Sequence, residues 1–216
     1  MIINLSDSNS VLSQFLAEIR NTDLQKDQLR FRRNLERIGE IAAYEISKLM
    51  TWEKTEVITP LGVAESCKLH HNPVLATILR AGLPLHQGLL NYFDKADNAF
   101  ISAYRKHAKD GSFKIETQYI SCPDIDERVL ILADPMLASG SSVHEALKML
   151  LQEGQPEQIF IVTAIASQEG VDYIESHYPQ ARIVVGAIDQ ELTAKGYIVP
   201  GLGDAGDLAF GYKIQN

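Results

Sequence analysis

The chain has 216 residues, 45% of them hydrophobic and 22% charged, enough apolar material for a full core in a size just above that of one typical domain. Its 20 Lys and Arg against 28 Asp and Glu leave a formal net charge of −8. Nucleic acid and anionic membranes are bound through wide positive fields, so the balance argues against both, and any anionic substrate must be met by local cations.

Met1-Ile2-Ile3-Asn4 lacks a cationic start followed by an apolar run, and no stretch reaches the roughly 18 apolar residues of a membrane span, so a cytoplasmic location is expected. Val11, Leu12, Phe15, Leu16 and Ile19 recur at helical spacing, and Leu35, Ile38, Ile41, Ala42, Ile46 and Leu49 repeat the pattern. Two N-terminal helices follow from this. Glu56-Val57-Ile58-Thr59, Pro60-Leu61-Gly62 and Val63-Ala64 read as strand, turn and strand, a β-arm outside the core. Cys67 and Cys122 stand far apart, and His70-His71 has no cysteine arranged as in a zinc module. Both cysteines are expected as reduced, structural thiols.

From Val74 onward short apolar runs take over: 74–79, 99–104, 129–133, 159–165 and 183–188. Strands apolar on both faces suit a parallel sheet covered on each side. Helical patterns fall between them at 83–93, at 143–151 before Gly154, and at 171–177 before Pro179. The alternation implies an α/β fold, a central and mainly parallel sheet flanked by helices, with sites at the carboxyl ends of strands. We expect one domain over 1–216: N-terminal helices and β-arm in 1–73, the α/β core in 74–188, and a C-terminal hood in 189–216. Segment 106–114 is polar, carries Asp110-Gly111-Ser112, and reads as a mobile loop.

Three constellations can carry chemistry. The first is the apolar run 129–133 followed by Asp134-Pro135-Met136-Leu137-Ala138-Ser139-Gly140-Ser141-Ser142, a strand, a loop of small residues and a helix start. Free amides and the positive end of the helix dipole make such a loop a cradle for phosphate, with Asp134 placed for sugar hydroxyls or a metal. An ordinary βα turn capped by Ser141 or Ser142 is the plainer reading. A nucleotide-hydrolase loop is disfavoured because no lysine follows Gly140.

The second is Gly201-Leu202-Gly203-Asp204-Ala205-Gly206-Asp207. Its glycines match the dinucleotide fingerprint, but too little chain follows for the required βαβ unit. Such glycines let the backbone itself approach a small planar ligand; the alternative is a flexible tail. The third is a pair of arginines, Arg80 and Arg105, each just past a predicted strand, where guanidinium forks suit phosphate. Either one alone reads equally as a solvated surface residue.

Taken in order, Ile78-Leu79-Arg80-Ala81-Gly82-Leu83, Tyr104-Arg105, the loop 134–142 and Gly196-Tyr197-Ile198-Val199-Pro200-Gly201-Leu202-Gly203-Asp204-Ala205-Gly206-Asp207 resemble the uracil phosphoribosyltransferase family, with similarity from about residue 30 to 213. Weaker echoes lie at Tyr44-Glu45, Asp126-Glu127-Arg128 and Ile188-Asp189-Gln190. Ser139 stands where threonine is usual, Ser141 where glycine is usual, and Pro135 where the wider superfamily has a second acidic residue. Each loop serine keeps a small side chain.

The resemblance implies a phosphoribosyltransferase-like fold that joins uracil to phosphoribosyl diphosphate, giving UMP and diphosphate in pyrimidine salvage. It implies that Arg80, Arg105 and loop residues Asp134, Pro135, Met136, Leu137, Ala138, Ser139, Gly140, Ser141 and Ser142 bind phosphoribosyl diphosphate. It further implies that Ile198, Gly203, Asp204 and Ala205 read uracil through main-chain groups, with Asp204 near the diphosphate and its Mg2+. Asp134, Arg105 and Asp204 are the catalytic candidates. Competing readings are a same-fold enzyme for another base, which would need a different pocket at 201–207, and a non-catalytic sensor of phosphoribosyl diphosphate. The N-terminal helices and β-arm point to a homodimer or larger homo-oligomer.

Overall fold

A computed structural model describes residues 1–107 and 113–212, with side chains left out at 103–107 and 113–118. In chain order its elements are β1 (Ile2–Asn4), α1 (Val11–Arg20), a 3-10 turn (Leu24–Lys26), α2 (Gln28–Ser47), β2 (Trp52–Thr59), β3 (Gly62–Leu69), β4 (Val74–Leu79), α3 (Leu83–Tyr92), β5 (Asp97–His107), β6 (Phe113–Ser121), β7 (Val129–Ala133), β8 (Met136–Leu137), α4 (Ser141–Leu150), β9 (Gln158–Ser167), α5 (Gln168–His177), β10 (Arg182–Asp189), β11 (Glu191–Leu192), β12 (Ile198–Val199) and α6 (Ala205–Phe210).

The main sheet runs in the order β1-β10-β9-β7-β4-β5-β6, with β8 added to β9. Every pairing in it is parallel except β5 with β6. The expected α/β fold with a mainly parallel sheet is therefore what the chain forms. Alternate residues feed two cores: Leu75, Ile131, Phe160 and Val184 meet α1, α2 and α3, while Ala76, Leu132, Ile161 and Val185 meet α4 and α5. Burial on both faces explains why these strands are continuous apolar runs. The chain leaves β4 toward β5 on one side and returns to β7 on the other, so the strand order reverses between β4 and β7. In open α/β sheets the crevice beyond the strand ends at such a reversal is where ligands bind.

Several expectations need correction. Arg105 does not follow its strand; it lies within β5, paired with Ile115. Residues 108–112 of the expected loop 106–114 lie outside the described residues, but Lys106 and His107 belong to β5 and Phe113 and Lys114 to β6. β1, β6, β8, β11, β12 and α6 are not among the expected elements. Leu49 lies beyond the end of α2 and is exposed, and α2 begins seven residues before Leu35, at Gln28, with Phe31 buried beneath it. The β-arm is longer than its turn signal suggested, pairing Trp52 with Leu69 and Thr59 with Gly62, and its surface is largely exposed. Both cysteines are free; Cys67 is exposed on β3 instead of serving a core, and Cys122 packs partly buried against the second core. No helix among the described residues is long and apolar enough to cross a membrane.

Candidate active site

Helix starts single out the reversal point. α1, α2, α5 and α6 begin on Ser10, Asp27, Ser167 and Asp204, whose side chains accept hydrogen bonds from first-turn amides. α3 and α4 begin on Gly82 and Gly140, which supply no side-chain cap. These two follow β4 and β7, so the first-turn N–H groups left without a capping side chain flank the crevice, together with the positive ends of two helix dipoles. Neither Ser141 nor Ser142 is the cap of α4; both are already helical.

Loop 134–142 is held from below. Asp134, 8% exposed, follows directly on β7, its N–H donating to Val162 O at 3.0 Å. Met136 and Leu137 pair with Ile165 and Ala166, and the amides of Ala164 and Ile165 both donate to Pro135 O. Ala138 O accepts from Ser167 Oγ at 2.6 Å, and Ser167 Oγ in turn caps α5 by accepting from Gly170 N at 2.9 Å. One buried hydroxyl thus ties the loop to the next helix. A Cβ at Gly170 would fall on Ala138 O, so the approach requires glycine there. Gly140 has φ +81, a left-handed conformation that glycine adopts without steric cost, and a Cβ on it would stand 2.7 Å from Tyr173 Cδ1. Tyr173 in turn stacks near His144 and His177, at ring separations of 5.6 and 4.2 Å. Ser139 Oγ and Ser141 Oγ lie 3.0 Å apart at the mouth of the loop. Residues 136–143 line a shallow concavity.

On the β4 side, Thr77 Oγ1 donates to Ala133 O at 3.3 Å, and a Cβ at Gly82 would fall on that hydroxyl. Arg80 is therefore carried to the strand end next to Asp134's. Its Nη2 donates to Gly211 O at 3.1 Å and stands 3.6 Å from Asp207 Oδ1. Arg105 sits one strand further out in β5, its side chain outside the described atoms.

The C-terminal segment is not a loose tail. Ile198, Leu202, Ala205 and Ala209 are buried in the first core. Gly201 and Gly203 hold φ of +54 and +98, and a Cβ at Gly201 would fall on Ile198 O. Asp204 caps α6 through Asp207 N at 3.0 Å. A Cβ at Gly206 would come within 3.8 Å of Ala81, which sets the start of α6 against the loop carrying Arg80. Arg32 secures the other end by donating to Ala209 O at 2.6 Å.

The structure thus gathers Arg80, Asp134 with its loop, and the glycine segment around one crevice. Of the weaker echoes, two lie elsewhere: Arg128 ties Asp97, Asp124 O and Asn72 O together at the opposite end of the strands, and Tyr44 and Glu45 lie on α2, whereas Asp189 of the third reaches the glycine segment by accepting from Gly201 N. Sequence reasoning missed Ser167 and Gly170 beneath loop 134–142, and Arg20, Gln25 and Arg32 around the glycine segment. Only Ser167, a serine at a helix N-cap with Glu169 in the first turn, carried a local signal.

Comparison with known proteins fits this geometry. The family model described as uracil phosphoribosyltransferase matches residues 6–211. A uracil phosphoribosyltransferase of Porphyromonas gingivalis is 53% identical over 214 residues, covering 99% of each chain. Another of that name, from Thermococcus sibiricus, is 40% identical over 97% of this chain and 90% of its own. The solved structure of the AQ2163 protein from Aquifex aeolicus superposes with a TM-score of 0.87 at 30% identity over 100% of both chains. With a match that leaves out only a few residues at either end, the chain belongs to the uracil phosphoribosyltransferase family.

Proposed function

We propose that this protein transfers the phosphoribosyl group of 5-phospho-α-D-ribose 1-diphosphate to N1 of uracil, giving UMP and diphosphate, as a cytoplasmic enzyme of pyrimidine salvage. The observation that carries the reading is the meeting, at one sheet reversal, of two helix starts without side-chain caps and a glycine segment, anchored in the core by Leu202 and Ala205, with positive φ at Gly201 and Gly203. The first arrangement suits phosphate groups. The second suits a small planar base read by the backbone.

In this reading the 5′-phosphate rests on the loop from Asp134 through Pro135, Met136, Leu137, Ala138, Ser139, Gly140 and Ser141 to Ser142, taking the first-turn amides of α4. Arg80 and Arg105 hold the diphosphate, and Arg80 exchanges its contacts with Gly211 O and Asp207 for phosphate oxygens. Ile198, Gly203, Asp204 and Ala205 present main-chain donors and acceptors to the edge of uracil. As the N1–C1′ bond forms and the C1′–O bond breaks, positive charge builds on the ribose and negative charge on the leaving group. Buried Asp134 orients the ribose hydroxyls and favours the cationic sugar, while the arginines neutralise the diphosphate. Asp204 stands as the candidate acceptor of the N1 proton.

Magnesium fits this donor set in one way. Among the described residues no three His, Cys, Asp or Glu side chains converge on a metal position, and Mg2+ is commonly bound by one or two carboxylates together with substrate phosphates. Asp204 would be its protein neighbour, and the ion would supply charge neutralisation at the diphosphate. The exposed apolar residues Val57, Ile58, Leu61 and Val63 of the β-arm support a homodimer or larger assembly, with the three segments 1–73, 74–188 and 189–216 acting as one domain. The direct test is to incubate the purified protein with labelled uracil, phosphoribosyl diphosphate and Mg2+. UMP and diphosphate should appear in equal amounts, and no UMP would overturn the reading.

A further inference from the structure

Between the phosphate loop and the glycine segment, one group of charges belongs to neither. Arg20, the last residue of α1, sends Nη1 to Asp189 Oδ2 at 2.7 Å and Nη2 to Asp189 Oδ1 at 2.8 Å. Its Nη1 also donates to Gly201 O at 3.0 Å. Asp189, at the end of β10 and only 8% exposed, accepts from Gly201 N through Oδ2 at 2.9 Å. Both main-chain groups of Gly201 are therefore fixed, its carbonyl by the arginine and its amide by the carboxylate. The two side chains fix each other through parallel charge-assisted bonds.

The anchor is rigid on each side. Leu16 and Ile19 bury α1 in the first core, and Asp189 ends a strand paired with β9. The Gln25 side-chain amide stands 2.9 Å from Leu202 O and 3.1 Å from Ile19 O, and two facing carbonyls require the nitrogen at that position as donor, a second tie from the same region one residue along. Gly201 separates Ile198 from Gly203, Asp204 and Ala205. Peptide units are rigid planes hinged at Cα atoms, so rotating or shifting Gly201 would displace the peptides next to it, and Gly203 follows only two residues on. An ion pair removed from the expected contacts with substrate is thus wired to the peptide on which base reading turns.

We infer that Arg20 and Asp189 are positioning residues for base recognition, acting through Gly201 to set the angle at which Gly203-Asp204-Ala205 meets the pyrimidine edge. The inference rests on the uracil reading of that segment. It assigns part of the specificity to a helix in the N-terminal region, which otherwise serves the core.

Steady-state kinetics on Arg20→Lys and Asp189→Asn test it, since each substitution keeps size and polarity but breaks the two-fold bridge to Gly201. Each should raise KM for uracil about tenfold, the loss of one modest interaction at about 1.4 kcal/mol. KM for phosphoribosyl diphosphate should stay within about twofold and the uracil-over-cytosine preference should narrow, while the double variant should be no worse than the poorer single variant because one network is lost once. Thermal melts identify any variant that does not fold, and the other then carries the same expectation. An unchanged uracil KM in a folded variant, or equal changes for both substrates, would overturn the positioning role. Failure of the unsubstituted protein to form UMP would instead remove the uracil reading itself.

Discussion

Replacing Ser167 by alanine separates the cost of a helix cap from the cost of a loosened loop 134–142. Its hydroxyl accepts from Gly170 N and donates to Ala138 O, and the side chain is fully buried. Loss of the cap costs about 0.5–2 kcal/mol, and leaving a carbonyl without its donor adds about 1–3 kcal/mol. The sum centres near 3 kcal/mol. In a chain of this size each kcal/mol lowers Tm by about 2–4 °C, so Ser167→Ala should melt roughly 6–12 °C below the parent. Ser10→Ala is the control: Ser10 caps α1 with the same chemistry, accepting from Leu12 N, but touches no part of the loop. It should cost only the cap. Because Ala138 lies in the proposed phosphate cradle, Ser167→Ala should also raise KM for phosphoribosyl diphosphate severalfold and leave that for uracil nearly unchanged, whereas Ser10→Ala should alter neither. Differential scanning fluorimetry and initial-rate kinetics on the three proteins suffice. Equal melting shifts for the two variants, or a Ser167→Ala effect shared equally by both substrates, would refute the idea that this hydroxyl holds the loop.

Asp134→Asn should fold and melt close to the parent yet lose most of kcat, since it keeps shape while removing the charge proposed to face the ribose; near-normal turnover would take Asp134 out of the mechanism. Arg105→Ala should weaken phosphoribosyl diphosphate by at least about tenfold, consistent with a charged hydrogen bond worth about 1.5–3 kcal/mol, and affect uracil less; equal effects would count against the assignment. The hydrogen bonds from Arg30 and then Asn34 hold the Glu18 carboxyl down from an ordinary 4.5 to about 2. A carboxyl lowered on folding stabilises above its unfolded pKa and loses that contribution as pH falls toward the folded value. Urea midpoints of Glu18→Gln and the parent should therefore differ most above pH 4.5 and converge toward pH 2; a gap independent of pH would contradict the ion pair's role.

What the sequence made legible follows from how local each signal is. β4 and β7 are buried on both faces, so their apolar runs announced the strands to the residue. The loop after β7 was readable because small residues, Asp134 and the following helix are contiguous. β1 is three residues long and exists because β10 offers it an edge, a tertiary fact invisible in Ile2-Ile3-Asn4. β6 did carry a signal, the alternation of Phe113, Ile115, Thr117 and Tyr119 with polar neighbours, which the turn-like Asp110-Gly111-Ser112 obscured. The supports of the site were not readable: Ser167 meets Ala138 29 positions away, and Arg20 meets Asp189 169 positions away, so no spacing rule connects them. Functional loops are local in sequence, whereas the groups that fix their angles come from the whole fold.

In the proposed reading, main-chain groups of the segment around Gly203-Asp204-Ala205 choose the base. The most direct test is a comparison of kcat/KM for uracil, 5-fluorouracil and cytosine at saturating phosphoribosyl diphosphate and Mg2+. Cytosine turns the O4 acceptor into an amino donor and the N3 donor into an acceptor, so two fixed backbone groups would face like partners, at about 1–3 kcal/mol each. Sites built on such bonds discriminate by about 10⁴ or more. 5-Fluorouracil keeps both edges and should be used readily, with cytosine at or below about one ten-thousandth of uracil; cytosine within about tenfold of uracil would contradict backbone reading of the base.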